Sequence, residues 1–250
     1  MPEITESMPR LDQLLVSQGS FASREKARRA VMAGIVRVAG QIVDKPGTAV
    51  AEGALVEVVG PREPFVSRGG RKLAAALDHF QVDPAGIVCL DVGSSTGGFT
   101  DCLLQRGAVR VYAVDVGKGQ LDYGLRQDSR VVVMEGLNAR YLESDTIAEP
   151  CGLITMDLSF ISVVKVVPSV LQFLAEDGHL LVLVKPQFEV GRGQVGKGGI
   201  VRDEDVRQKV IRQRCDDLSS LGLELMGIVD SELPGAKGNL EAFALLRWQR

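Results

Sequence analysis

With 29 basic and 32 acidic side chains among 250 residues, the chain has a formal net charge of −3. That balance excludes indiscriminate nucleic-acid binding through overall charge, though not a local basic patch. Apolar residues make up 45% and charged residues 24%, an ordinary composition, and the length suits one large domain plus a small one. No run of ~18 uncharged apolar residues is present, and the first thirty residues hold no continuous apolar stretch. Cys89, Cys102, Cys151 and Cys215 show no metal-like spacing. The expectation is a cytoplasmic protein with reduced thiols and no signal peptide, membrane span or metal.

Residues 1–9 read as a loose arm. Arg10–Val16 has the pattern of a short amphipathic helix ending near Gly19. Ser23 is a candidate N-cap for a helix over Arg24–Met32. That helix places Arg24 and Arg28 on one face at i,i+4, with Arg29 beside them and Ala27, Ala30 and Val31 opposite. Gly34 stops it. Ile35–Val38 and Gly40–Val43 then alternate around a turn, and Leu55–Val58 makes a last short strand. Residues 1–60 hold seven Lys/Arg and seven Asp/Glu, so this piece is not basic overall. Its positive charge gathers on Arg10, Arg24, Lys26, Arg28 and Arg29, which suits either a solvated helix face or contact with RNA phosphates. Arg10-Leu11-Asp12, Ser23-Arg24-Glu25-Lys26-Ala27 and Gly34-Ile35-Val36-Arg37-Val38 resemble the S4 RNA-binding module, which implies the second role.

Residues 61–66, with two prolines and two opposite charges, read as a linker between a domain at 1–60 and one at 67–250. Val66-Ser67-Arg68-Gly69-Gly70-Arg71-Lys72-Leu73 opens the second domain and leads into a helix ending about Phe80. Arg68 is a further candidate for RNA contact. An apolar run, Ile87–Val92, carries the single acid Asp91 and empties into Gly93-Ser94-Ser95-Thr96-Gly97-Gly98. Leu103 and Leu104 then open a helical pattern. Strand, tight turn and helix predict a doubly wound, Rossmann-like α/β sheet. Gly93, Gly97 and Gly98 let backbone approach a ligand closely. A second apolar run, Val109–Val114, ends in Asp115, about 20 residues beyond the glycines and placed to accept from a ribose. A dinucleotide fingerprint needs a second glycine that this turn lacks. Asp91–Thr100 resembles motif I of the S-adenosylmethionine-dependent methyltransferases, which implies that cofactor, held by Asp91, Gly93, Ser94, Ser95, Gly97, Gly98, Phe99 and Asp115.

Val131–Met134 is a third strand. Asn138 and Arg140 follow at the same rim, suited to an adenine and a phosphate respectively, or to plain turn and surface roles. Gly152–Asp157 is a fourth strand ending in an acid. Leu158–Ser162 turns into a helix expected over Val163–Ala175 and kinked at Pro168. His179–Val184, fully apolar, ends in Lys185, an uncommon terminus for a core strand. Gly191–Gly198 nearly matches a P-loop but has Gly198 where the metal-binding hydroxyl belongs. It reads as a basic lid that orders on RNA or as a surface loop. A helix over Asp203–Leu221 and strands over Glu224–Val229 and Leu240–Leu246 complete the sheet. Asp91, Asp115, Asp157 and Lys185 all fall at strand C-terminal ends, where such sheets bind ligands.

Three methyl acceptors can be compared. Carbon methylation needs a cysteine, but Cys151 lies six residues, roughly 20 Å at about 3.3 Å each, from Asp157 and on the opposite rim. Amine methylation uses an acid, two prolines and an aromatic; Asp157-Leu158-Ser159-Phe160 lacks both prolines. Hydroxyl methylation needs a base, and Lys185 is the candidate. Lys72, Asp157, Lys185 and Glu241 resemble, in order and context, the Lys-Asp-Lys-Glu tetrad of FtsJ-related ribose 2′-O-methyltransferases. An S4-like module followed by such a domain resembles the TlyA family. Val66–Leu73, Lys185-Pro186-Gln187-Phe188-Glu189 and Gly191-Arg192 agree with it. The resemblance implies 2′-O-methylation of cytidine in ribosomal RNA, with that RNA or a ribosomal subunit as partner. The alternatives are a non-catalytic RNA-binding assembly factor and, from the family's haemolysin names, a cytolysin.

Overall fold

A computed structural model describes residues 8–248 apart from 22, 33, 52, 60–63, 192, 194 and 197. It divides into two compact units, Met1–Glu63 and Pro64–Arg250. Residues 1–7 of the arm expected over 1–9 and most of the expected linker lie outside the described residues, whereas the Pro9 carbonyl accepts from the Val50 N–H at 2.9 Å. Pro64–Val66, expected as the end of the linker, instead pack on the second unit. Gln105 donates to the Pro64 carbonyl at 2.8 Å, and the Val66 N–H donates to Asp101 at 2.7 Å.

The first unit holds α1 (Leu11–Ser17), α2 (Arg24–Met32) and a small antiparallel sheet. Its strands β1 (Val36–Val38), β2 (Gln41–Ile42) and β3 (Val56–Val58) lie in the order β2-β1-β3. Ser23 caps α2 as expected, its hydroxyl accepting from the Lys26 N–H at 3.3 Å. Leu11, Leu15, Ala27, Ala30, Val31, Val36 and Val50 form the core. One charge sits inside it. Asp12 is fully buried and accepts from Arg10 at 3.1 Å and from Arg24 at 2.9 Å. The Arg10 guanidinium holds the Asp12 carboxyl below the usual carboxylate range; burial opposes this and Arg24 reinforces it.

In the second unit, seven strands among the described residues form one sheet in the order β6-β5-β4-β7-β8-β10-β9. They are β4 (Val88–Val92), β5 (Arg110–Asp115), β6 (Val131–Glu135), β7 (Cys151–Met156), β8 (Leu174–Val184), β9 (Leu223–Asp230) and β10 (Ala242–Trp248). Strands β4 to β8 pair in parallel, and β10 runs antiparallel to both β8 and β9. Alternation divides the apolar residues between two faces. Leu180, Val182, Val184, Ala242 and Ala244 join one core; Leu181, Leu183, Phe243 and Leu245 join the other. Helices α3 (Arg68–Phe80), α4 (Gly98–Gln105), α5 (Tyr123–Gln127), α6 (Val167–Val170), α7 (Pro186–Glu189) and α8 (Glu204–Ser219) connect and cover the strands.

Three elements differ from expectation. Helix α4 begins at Gly98, inside the glycine turn, rather than near Leu103. Gly97 is its N-cap at φ 94°, and Phe99, Cys102 and Leu103 supply the buried face. The helix expected over Val163–Ala175 is broken into a 3-10 turn (Val163–Lys165), α6 and a second 3-10 turn (Leu171–Phe173). Pro168 stands in the first turn of α6, where its missing N–H breaks no helical bond. The chain enters β8 at Leu174, five residues before the expected strand.

Replacing Asp12 by alanine removes the shared partner of two half-exposed arginines. Because those arginines are already hydrated, the expected loss is about 1–2 kcal/mol, confined to the first unit. Urea unfolding followed by a probe in each unit checks this, and unchanged stability of the first unit would show that Asp12 does not tie α1 to α2.

Candidate active site

The ends of β4, β5 and β7 converge on two adjoining cavities of the second unit, and Lys185 at the end of β8 reaches them through Asp157. The first, about 320 Å³, is lined by Ser67, Arg68, Lys72, Ser94 and Phe99 among others. The second, about 480 Å³, is lined by Asp115, Val116, Leu137, Asn138 and Phe160 among others. Gly93, Ser95 and Asp157 line both. Gly93 has φ 88°, and a Cβ there would lie 2.5 Å from the Asp157 carbonyl oxygen. A Cβ on Gly98 would meet the Ser67 hydroxyl at 2.2 Å and the Gly70 nitrogen at 2.9 Å. These glycines therefore bring β4 close to the end of β7 and the N-terminus of α4 close to that of α3.

Two ion pairs stand at this rim. Lys72 Nζ lies 2.6 Å from Glu241 Oε2, with both side chains buried. Lys185 Nζ lies 2.5 Å from Asp157 Oδ1. The second contact is electrostatic: Asp157 Oδ1 accepts no aligned hydrogen bond, and Lys185 donates instead to the Ser159 hydroxyl at 3.1 Å. Glu241, expected to open the last strand, immediately precedes β10 and also accepts from Gln187 Nε2 at 3.1 Å. The four tetrad residues are thus brought together as two pairs, one on either side of β8.

The cofactor candidates divide. Asp115 accepts from the Ser95 N–H at 2.8 Å and the Gly117 N–H at 2.7 Å while still lining the second cavity. Asn138 accepts from the Arg140 N–H at 3.1 Å, which leaves its amide NH₂ available at that cavity. The Ser94 hydroxyl is buried beside the first cavity without a partner, so a bound ligand group would satisfy it. Asp91 corrects the expectation. It is fully buried, lines neither cavity, and accepts from Thr100 at 2.7 Å and Thr155 at 3.4 Å. Its position in the middle of the sheet's core turns its carboxylate into α4 and β7 rather than into solvent, and burial pushes its pKa up to about 7.

The basic candidates divide too. Arg10 and Arg24 are committed to Asp12, whereas Arg24, Arg28 and Arg29 share one shallow surface of the first unit with Glu25, which pairs with Arg29. Lys26 lies exposed on the same helix. Arg68 lines the first cavity and donates to the Pro234 carbonyl. Arg140 lies outside both cavities, its guanidinium 5.4 Å from the centre of the Tyr141 ring. Cys151 begins β7, and burial pushes its thiol up to about 12, so it offers no thiolate at the opposite rim. Arg192, Gln194 and Lys197 of the glycine-rich loop lie outside the described residues. Among the described residues no acidic, histidine or cysteine cluster could hold a metal, and no helix is long and apolar enough to cross a membrane.

Sequence reasoning gave no role to Val116, Leu137 or Gln187. Val116 and Leu137 are exposed apolar residues facing the second cavity. Their signal is an apolar residue one or two positions after a polar strand end. Gln187 had no local signal, because its partner Glu241 is 54 residues away.

Comparisons with known proteins agree over both units. The FtsJ-like methyltransferase family matches residues 65–248, and the S4 domain matches residues 9–56. A Mycobacterium tuberculosis protein named 16S/23S rRNA (cytidine-2′-O)-methyltransferase TlyA is 46% identical over 96% of this chain and 90% of its own length. Hemolysin A of Brachyspira hyodysenteriae is 40% identical over 94% of this chain and 98% of its own. A solved structure of a hemolysin-named protein from Streptococcus thermophilus has 41% identity and a TM-score of 0.76, covering 97% of this chain and 89% of that one.

Asp91 predicts a pH dependence of stability. Its folded pKa of about 7 lies above the unfolded value of about 3.9. Between those values the folded state holds more protons, so its contribution to stability falls as pH rises from about 4 through about 7. Asp91→Asn, which can still accept from Thr100, should flatten that fall. Urea unfolding at a series of pH values checks it; an unchanged slope would place the titration elsewhere.

Proposed function

The chain belongs to the FtsJ-like methyltransferase family, with an S4 domain ahead of the catalytic unit, and from this premise we propose that it methylates the ribose 2′-hydroxyl of a cytidine in ribosomal RNA using S-adenosylmethionine. The observation that carries the reading is the pair of lysine–carboxylate contacts at the strand ends beside the glycine turn.

The residues present suit the cofactor. Asp115 is placed for ribose hydroxyls, and the Asn138 amide with Val116 and Leu137 for an adenine. Ser94, beside the N-termini of α3 and α4, suits a carboxylate, since its hydroxyl is otherwise unpartnered and helix N-termini favour anions. S-adenosylmethionine supplies an electrophilic methyl group when bound.

The chain's own part is to bind, orient and move a proton. A ribose hydroxyl becomes a competent nucleophile only as its proton leaves, and Lys185 in its neutral form takes that proton at Nζ. Asp157, 2.5 Å away, stabilises the ammonium that results. Lys72 lines the first cavity with its ammonium held by Glu241, and from there it orients the ribose and stabilises the developing oxyanion. The S4 unit holds the RNA by its backbone, chiefly through Arg28 and the neighbouring basic face of α2. The presence of both pairs, Lys72–Glu241 hydrogen-bonded and Lys185–Asp157 in ionic contact, supports catalysis over a binding-only assembly factor.

Lys185→Ala should leave cofactor affinity nearly unchanged and slow methyl transfer on the order of 10²–10⁴-fold. Single-turnover transfer to RNA beside calorimetric titration of the cofactor tests this. Transfer near the wild-type rate would reduce Lys185 to a structural partner and move the amine-methylation reading built on Asp157 and Phe160 to first place.

Removing residues 1–60 should preserve cofactor binding but abolish methylation of ribosomal RNA, because the orienting phosphate contacts go with it. Arg28→Glu spares the Asp12 cluster. It should weaken RNA binding and reduce the slope of log K against log salt by about 1. Binding isotherms at several salt concentrations measure this, and an unaltered slope would take Arg28 off the RNA.

A further inference from the structure

The pentapeptide Lys185-Pro186-Gln187-Phe188-Glu189 carries one proposed catalytic group, and the reaction leaves its other polar residues without a part. Its place in the sheet is distinctive. It follows β8, which lies between β7, the strand that leads to Asp157, and β10, the strand that follows Glu241. Its side chains reach in both directions.

Toward β10, Gln187 Nε2 donates to Glu241 Oε1 at 3.1 Å, while the other carboxylate oxygen meets Lys72 at 2.6 Å. The amide orientation follows from its partner, since a carboxylate accepts and the amide oxygen cannot donate. Glu241 lies directly against Gly235. A Cβ on Gly235 would lie 2.0 Å from Oε1 and 2.9 Å from Oε2, so the carboxylate occupies the space a side chain there would fill. Gln187 Oε1 is itself buried without a partner, a cost accepted at a position where an apolar side chain would carry none.

Toward β7, the Glu189 carboxylate accepts from the Ser162 hydroxyl at 2.6 Å and the Val163 N–H at 2.9 Å. Its side chain is 1% exposed, with Arg214 at 3.8 Å. Those bonds close the far end of the segment that begins at Asp157. Lys185 closes the near end through Asp157 and Ser159, and Phe160 lies against Phe188 between them, ring centres 5.0 Å apart. Phe160 has φ 66°, an uncommon backbone conformation for a bulky residue, although its side chain is largely exposed.

We propose that Gln187 and Glu189 are positioning residues, which make the turn after β8 a two-sided brace fixing the Lys72–Glu241 pair and the Asp157 segment relative to Lys185. The proposal rests on the tetrad reading above. It explains why one turn of helix, Pro186–Glu189, carries two polar side chains with buried bonding atoms aimed at opposite neighbours. Gln187 acts through Glu241, and Glu189 acts through the Asp157–Val163 segment.

The test uses the full chain. Gln187→Met keeps the length and removes the donor; Gln187→Asn keeps the amide and withdraws it, and serves as the second variant should the first fold poorly. Each should slow single-turnover transfer on the order of 10–100-fold, the effect of a misplaced group. Cofactor affinity should stay within about twofold. Glu241→Ala should also be slow, and Gln187→Met combined with it should be no slower than Glu241→Ala alone, because a residue acting through the Glu241 carboxylate has nothing further to lose. Glu189→Ala should be slow while Glu189→Gln, whose amide oxygen can still accept from Val163, recovers most of the rate. A slow Glu241→Ala beside a Gln187→Met of wild-type rate, or rate losses that multiply in the double variant, overturns the brace and leaves the tetrad standing. A Glu241→Ala enzyme at the wild-type rate overturns the tetrad reading and the brace with it.

Discussion

A lysine ammonium buried against a carboxylate is the contact on which the active rim depends. Lys72 belongs to α3 and Glu241 to the approach of β10, 169 residues apart, and neither is tolerable inside without the other. Breaking such a pair typically costs about 3–5 kcal/mol, so the fold is obliged to bring the two ends of the catalytic unit together. The insertion of β10 antiparallel between β8 and β9 meets that obligation. It sets Glu241 under Gly235 and beside Gln187, and the strand on the other side of β8 delivers Asp157 to Lys185.

The same economy of charge appears in the first unit with a different outcome. Its basic residues look interchangeable along α2, yet Arg24 turns inward with Arg10 onto the buried Asp12. What remains for a polyanion is a narrower basic face, on a unit whose acids and bases are equal in number. Such a surface suits orientation on a shaped RNA better than strong non-specific capture.

Much of this was legible in the chain. The glycine turn, the strand-end acids and Lys185 are local patterns, and period-2 alternation makes strands such as β8 and β10 stand out. The breaks came where local and tertiary demands part. Asp91 carries the look of a ligand-binding acid, but only the neighbouring positions of Thr100 and Thr155 reveal that its carboxylate is already satisfied. The Val163–Phe173 stretch has the spacing of one helix, and its valines, β-branched and packed on the sheet, settle into short turns instead. Gln187 stands inside the Lys185–Glu189 motif with no local sign of a role, because its meaning depends on a residue 54 positions away.

The parallel pairing of β7 with β8 matches Met156 to Val182, with Asp157 and Lys185 just beyond the strand ends. Adding or deleting one residue within either strand would shift its end by about 3.3 Å and turn every following side chain to the opposite face. The 2.5 Å pair could not survive that change. The opposite rim, where residues 143–149 lead into β7 and residues 174–178 open β8, carries none of the tetrad residues. Length variation among relatives of this chain should therefore collect at that rim and spare the short spans from Cys151 to Asp157 and from His179 to Lys185, whose residue count sets the ionic contact as firmly as the charges they deliver.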